Sequence, residues 1–168
     1  PIREVTEEQL AEDAMLIDAL TLQETGRADE ALEAYGRTVE KHPGCDAAWY
    51  GMSQLLAQRG WTDSAEACAR RAVALRGDNV WYLLSLAVVQ QMKGDTRGTV
   101  ATWETIVRQN PEVLDYYYEL SNQYISANDL PKAVEVLNRV EKRIGVTEPI
   151  SMQKAKLWNA AGKPDKAT

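Results

Sequence analysis

Apolar residues recur at three- and four-residue intervals along most of the chain, as at Leu16 and Leu20 or at Leu83, Leu86 and Ala87. That period lays an apolar stripe along one face of a helix. It predicts helices near residues 7–25, 29–41, 46–59, 62–75, 80–93, 96–109, 112–127, 130–142 and 148–161, and nothing in the chain argues for a strand. Local signals place the ends. Thr6-Glu7-Glu8-Gln9 has the form of a capping box and starts the first helix near residue 7. Thr62-Asp63, Asp95-Thr96 and Asp129 are candidate N-caps, and Pro131 falls in a first turn, where its missing N–H is not needed. Pro43, Gly44, Gly77, Pro111 and Gly145 close pairs of helices.

The pairs repeat. Gly26, Gly60 and Gly94 are 34 residues apart, and the same register continues through Asn128 to Gly162. Around each turn the pattern recurs in phase: Ala19, Leu22, Ala31, Tyr35 and Pro43; Trp49, Ser53, Leu56, Ala65 and Ala69; Leu83, Ala87, Thr99, Trp103 and Pro111; Tyr117, Ser121, Tyr124, Ala133 and Leu137. Small residues at Ala19, Ser53, Ala87 and Ser121, and at Ala31, Ala65 and Ala133, with Thr99 in place of the alanine expected at the eighth position, predict where paired helices come closest, since larger side chains would push the axes apart. A constant period of this length marks stacked helix-turn-helix units.

These residues resemble the tetratricopeptide repeat family over about residues 12–168, with units at about 12–45, 46–79, 80–113 and 114–147 and a partial fifth at 148–168. The resemblance implies an all-α fold, a right-handed α-solenoid of stacked antiparallel helix pairs, and residues 1–168 read as one domain with a core running along the stack. The chain begins at Pro1 rather than Met and stops inside the second helix of the fifth unit, which predicts a segment of a longer protein. A signal peptide ahead of it stays open, and so does the compartment. The end around Leu157 and Trp158 is expected to be partly uncovered, and frayed or self-associating.

Charge and chemistry narrow the function. Nineteen basic against twenty-five acidic residues leave a net charge of −6, which opposes nucleic-acid binding. No apolar run approaches the roughly 20 residues that span a bilayer, so no membrane insertion is expected. His42 is the only histidine; Cys45 in a loop and Cys68 in a helix form no metal-binding or redox motif and are expected as free thiols. No phosphate-binding glycine loop is present. The expectation is a chain without catalytic residues, cofactor or metal, working through its surface.

In the tetratricopeptide family the first helices of successive units line a concave groove that holds peptides or proteins. The resemblance therefore implies a partner site at Leu16, Ile17 and Leu20 on the first helix, and Tyr50, Gly51 and Gln54 on the third. It continues with Trp81, Leu84, Ser85 and Val88, then Tyr118, Glu119, Asn122 and Ile125. The Lys and Asn clamp of co-chaperone relatives is missing: its positions hold Leu16, Leu20, Gly51, Trp81 and Ser85, or, one unit on, Tyr50, Gln54, Ser85, Asp115 and Glu119. Acidic C-terminal tails are thus poor ligands. The same apolar positions would also suit a flanking segment of the parent protein folded into the groove. Three readings stay open: an interaction scaffold, an interaction module beside an enzymatic or envelope-assembly domain, and a structural solenoid that self-associates. One helix departs from its siblings, since Gly98 and four threonines at 96, 99, 102 and 105 weaken it and predict a soft joint.

Overall fold

The computed structural model describes residues 5–167. Among the described residues nine α-helices follow one another: α1 (Glu7–Glu24), α2 (Ala28–Lys41), α3 (Asp46–Gln58), α4 (Thr62–Leu75), α5 (Val80–Met92), α6 (Thr96–Gln109), α7 (Leu114–Ser126), α8 (Leu130–Ile144) and α9 (Glu148–Ala160), with a short 3-10 turn at Pro164–Lys166. The described residues contain no strand. Each helix lies within two residues of its expected limits. The largest departures are α7, which starts only after the Asn110–Val113 turn, and α8, which runs on to Ile144.

The register of 34 has a backbone cause. Gly26, Gly60, Gly94 and Gly162 have φ of 80°, 77°, 74° and 75°, and Asn128, at 58°, is the only described non-glycine residue with positive φ. At Gly60 the chain makes the paired bonds of a left-handed helix end: Gly60 N–H donates to Ala57 O at 3.0 Å and Trp61 N–H to Leu56 O at 3.0 Å. The same pair closes α7 through Asn128 and Asp129. Side chains with a β-carbon resist this conformation, which is why glycine recurs.

N-caps follow the expected chemistry with three differences. Thr6 accepts from Gln9 N–H at 3.1 Å, but the Gln9 amide reaches forward to Asp13. Asp95 and Asp129 cap α6 and α8 by accepting from Gly98 and Lys132 N–H. Thr62 and Asp63 do not cap α4. They lie inside its first turn, and Trp61 holds the cap position without a side-chain bond. Asn79 supplies an unforeseen cap to α5, accepting from Trp81 N–H at 3.0 Å and from Tyr82 N–H at 3.4 Å.

The chain divides into two compact units between Lys93 and Gly94, at the turn of the third repeat. In the first, α1–α2 and α3–α4 pack as pairs. Its core forms two clusters, one around Ala19, Ala31, Tyr35, Ala48 and Leu55, the other around Leu56, Ala65, Cys68 and Val89, with Leu32, Trp49 and Met52 packed against both. In the second, α7 and α8 form the tight pair, and Leu120, Val134, Val136, Leu137 and Val140 centre a core that also takes in Ile150 and Leu157 of α9. All eight small positions singled out by the repeat are at most 3% exposed. At one of them the Ser121 hydroxyl donates to Ala133 O at 3.0 Å, so polarity is satisfied where the helices are closest.

One expectation at the C-terminal edge changes. Leu157 is buried rather than bare, because α9 lays Ile150 and Leu157 into the core of the second unit. Lys163 and Lys166 stand over the Trp158 ring at 5.8 and 4.9 Å, covering its outer face. Cys45 lies in the loop just before α3, as expected, and the fold buries it there; burial pushes its thiol up to about 11, so it is a poor nucleophile at neutral pH. Cys45 and Cys68 are both free.

Candidate functional site

The first helices of the first unit stand side by side, because α3 touches α1 on one flank and α5 on the other. Between α3 and α5 lies a concavity of about 490 Å³, lined by Tyr50, Gln54, Ala57 and Gln58 on one wall and by Trp81, Leu84, Ser85, Val88, Val89 and Met92 on the other. No charged side chain is among them. Six expected site residues are thus brought together: Tyr50, Gln54, Trp81, Leu84, Ser85 and Val88. Their exposure is what core packing cannot account for. Trp81 is 64% exposed, Val88 54% and Met92 49%, although all three sit on a helix that buries Tyr82, Leu83 and Leu86.

The α3 wall is held from behind. The Tyr50 ring packs 5.0 Å from the Tyr82 ring at 39°, and the Tyr82 hydroxyl donates to Asp46, which also faces Arg76. Burial first, then the bond to Asp46, raises the Tyr82 phenol, so it stays a donor at any physiological pH. On the groove side the Gln54 amide donates to the Tyr50 hydroxyl at 2.8 Å. The Ser85 and Ser53 hydroxyls lie 3.3 Å apart. These bonds fix the polar rim before any partner arrives, which lowers the ordering cost of binding.

Other expected site residues are placed differently. Leu16 packs against the first core cluster, and Leu20 and Ile17 are exposed on α1 outside the concavity. Gly51 is a correction: it is buried beneath the Tyr35 ring and presents no surface. In the second unit Ile125 packs against the core, while Tyr118, Glu119 and Asn122 are exposed on α7. Ala57, Gln58, Val89 and Met92 were missed. Gln58 and Met92 lie one helical turn beyond Gln54 and Val88, so extending the same stripe by four residues would have found them. Trp61 is exposed with the Arg59 guanidinium 5.5 Å from its ring, and Tyr116 packs at the edge of the second core, 5.9 Å from Trp103.

The family model described as tetratricopeptide repeat matches residues 19–80, across the turns at Gly26 and Gly60 and the α3 wall of the groove. Residues 19–80 carry tetratricopeptide repeats. Solved structures carry the likeness further along the chain. A crystal structure of MamA protein is 16% identical with a TM-score of 0.73, covering 93% of this chain and 85% of that one. YrrB, described as a TPR protein with an unusual peptide-binding site, is 13% identical with a TM-score of 0.72, covering 96% and 87%. Naa15/Naa10 bound to HypK-THB is 21% identical with a TM-score of 0.76 over 93% of this chain, but only 25% of that one. At these identities the tetratricopeptide likeness concerns the fold. No curated protein sequence matches the chain. Tetratricopeptide repeats are typically protein-interaction scaffolds, and no described helix is long and apolar enough to cross a membrane.

Proposed function

We propose that this chain is a non-catalytic scaffold that binds a peptide or protein segment in the groove between α3 and α5. The observation that carries the reading is the exposure of Trp81, Val88 and Met92 around a concavity that no described segment fills. Burying an exposed apolar side chain yields roughly 1.5–3 kcal/mol, so three such anchors contribute roughly 4.5–9 kcal/mol before ordering costs, with the rest of the affinity left to backbone hydrogen bonds and neighbouring contacts. Gln54, Gln58 and Ser85 supply amide and hydroxyl groups for a partner backbone. Leu16 and Leu20 on α1 belong to the proposal as further positions of first helices, and Tyr118, Glu119, Asn122 and Ile125 on α7 are proposed as the corresponding surface of the second unit by itself. YrrB, with its peptide-binding site, and the HypK-bound Naa15/Naa10 assembly favour this class of partner.

The test is selection of a random 12-residue phage-displayed peptide library on the protein, followed by binding of the recovered peptides to a Trp81→Glu variant. Trp81 is mostly exposed, so the variant keeps its helicity. Peptides that bind the parent and are lost on Trp81→Glu support the groove. Peptides indifferent to that change, or no recovered peptide at all, count against it.

A further inference from the structure

We propose, building on the groove reading, that the partner is a segment with basic residues at the end lying over α1 and apolar residues at the end lying over α5. The 34-residue register puts equivalent positions of successive first helices in rows. One row reads Asp13, Ala47, Trp81 and another Glu24, Gln58, Met92. Each runs from a carboxylate through a neutral residue to a large exposed apolar one. The row between them, Leu20, Gln54, Val88, keeps apolar contact at both ends. The three helices stand in that order, since α3 touches both α1 and α5 while those two do not meet.

Among the described residues no cation pairs with the charge at the α1 end. Helix α1 holds Glu7, Glu8, Glu12, Asp13, Asp18 and Glu24 and no Lys, Arg or His. Among the described residues none of these carboxylates enters an ion pair, whereas carboxylates elsewhere, such as Asp63, Glu104 and Glu141, do. Asp13, Ile17, Leu20 and Glu24 follow a spacing of four, three and four residues and so share one stripe. Ile17 and Leu20 on it are 59% and 41% exposed. A segment with lysine or arginine among apolar residues satisfies this stripe, an acidic one is repelled by it, and the α3–α5 end, which lacks charge, selects for apolar anchors. The gradient therefore sets both the composition and the direction of the bound segment.

The recovered peptides decide it. Those lost on Trp81→Glu are expected to carry Lys or Arg in one half and apolar residues in the other. Zero-length carbodiimide coupling is expected to join a peptide lysine to Asp13 or Glu24. The double variant Asp13→Asn, Glu24→Gln should weaken a recovered synthetic peptide about 3- to 10-fold at low salt, one exposed and one half-buried surface charge being worth that much together. The loss should close at high ionic strength. Glu40→Gln, on the second helix of the pair, is the control and should leave affinity unchanged. Peptides that need Trp81 yet are neutral or acidic, or that ignore the double variant, overturn this proposal and leave the groove standing. Peptides that ignore Trp81→Glu overturn the groove, and this proposal with it.

Discussion

The backbone of Gly51 lies flat against the ring of Tyr35. A β-carbon at position 51 would come within 2.8 Å of Tyr35 Cε1 and Cε2 and closer still to Cζ. The ring has nowhere to go, because Tyr35 is fully buried on α2 and its hydroxyl donates to Gln23 on α1. Glycine inside α3 costs helix stability, about 1 kcal/mol against alanine, and here that cost secures the packing of three helices.

Gly51→Ala is therefore expected to destabilise the protein by about 1–3 kcal/mol, the overpacking penalty exceeding the gain in helix propensity. Urea unfolding measures it. In a Tyr35→Leu background, where the ring is gone, the same substitution should turn neutral or stabilising. An equal loss in both backgrounds would show that the ring is not the cause.

The repeat turns make a paired prediction. Gly60→Ala forces a β-carbon into φ of 77° and should cost about 1 kcal/mol, whereas Asn128→Gly relieves the only described non-glycine residue at positive φ and should gain a few tenths to about 1 kcal/mol. Thermal melts of the two variants should shift in opposite directions.

Glu104 ties α6, α7 and α8 together by accepting from Arg139 at 3.0 and 3.2 Å and from the Tyr124 hydroxyl at 2.6 Å. Burial works to raise its carboxyl, but the bonds from Arg139 and Tyr124 outweigh that and hold it below the ordinary 4.5. A carboxylate lowered by folding contributes stability that is complete above its unfolded value and lost as pH falls through the folded one. Glu104→Gln should thus cost about 1 kcal/mol at neutral pH, the pair being partly exposed, with the difference from the parent disappearing in acid. Urea midpoints against pH for both proteins check the sign.

Helix α6 should exchange its amides faster over 96–105 than the helices on either side of it in the chain, α5 and α7. Gly98 and the threonines lower its propensity, and Thr99 and Thr105 turn their hydroxyls onto the carbonyls of Asp95 and Ala101. Hydrogen-exchange mass spectrometry reads this directly, and equal or greater protection in α6 would remove the idea of a soft joint.

The groove residues should be nearly silent in stability. Trp81→Ala removes a side chain that is mostly in water and is expected to change the unfolding free energy by no more than about 0.5 kcal/mol, while abolishing peptide binding. A large loss of stability would assign Trp81 to packing.

Much of this protein was legible along the chain because its determinants are local or periodic. Helix limits follow from caps and apolar spacing, the left-handed turns at Gly26 through Gly162 follow from glycine itself, and the eight small positions follow from the repeat. Residues i and i+34 share an environment by construction, so a register read in one unit applies to the next. Only the tertiary structure separated look-alike positions within that register. It alone placed Gly51 under Tyr35, because that requires a ring 16 residues away to fill the space. It turned Leu16 inward and left Val88 exposed, although both continue an apolar stripe, because exposure depends on which neighbouring helix arrives. It buried Leu157 with α9 and extended the groove to Met92. Apolar spacing decides that a side chain lies on a face; packing between helices decides whether that face meets a core or a partner.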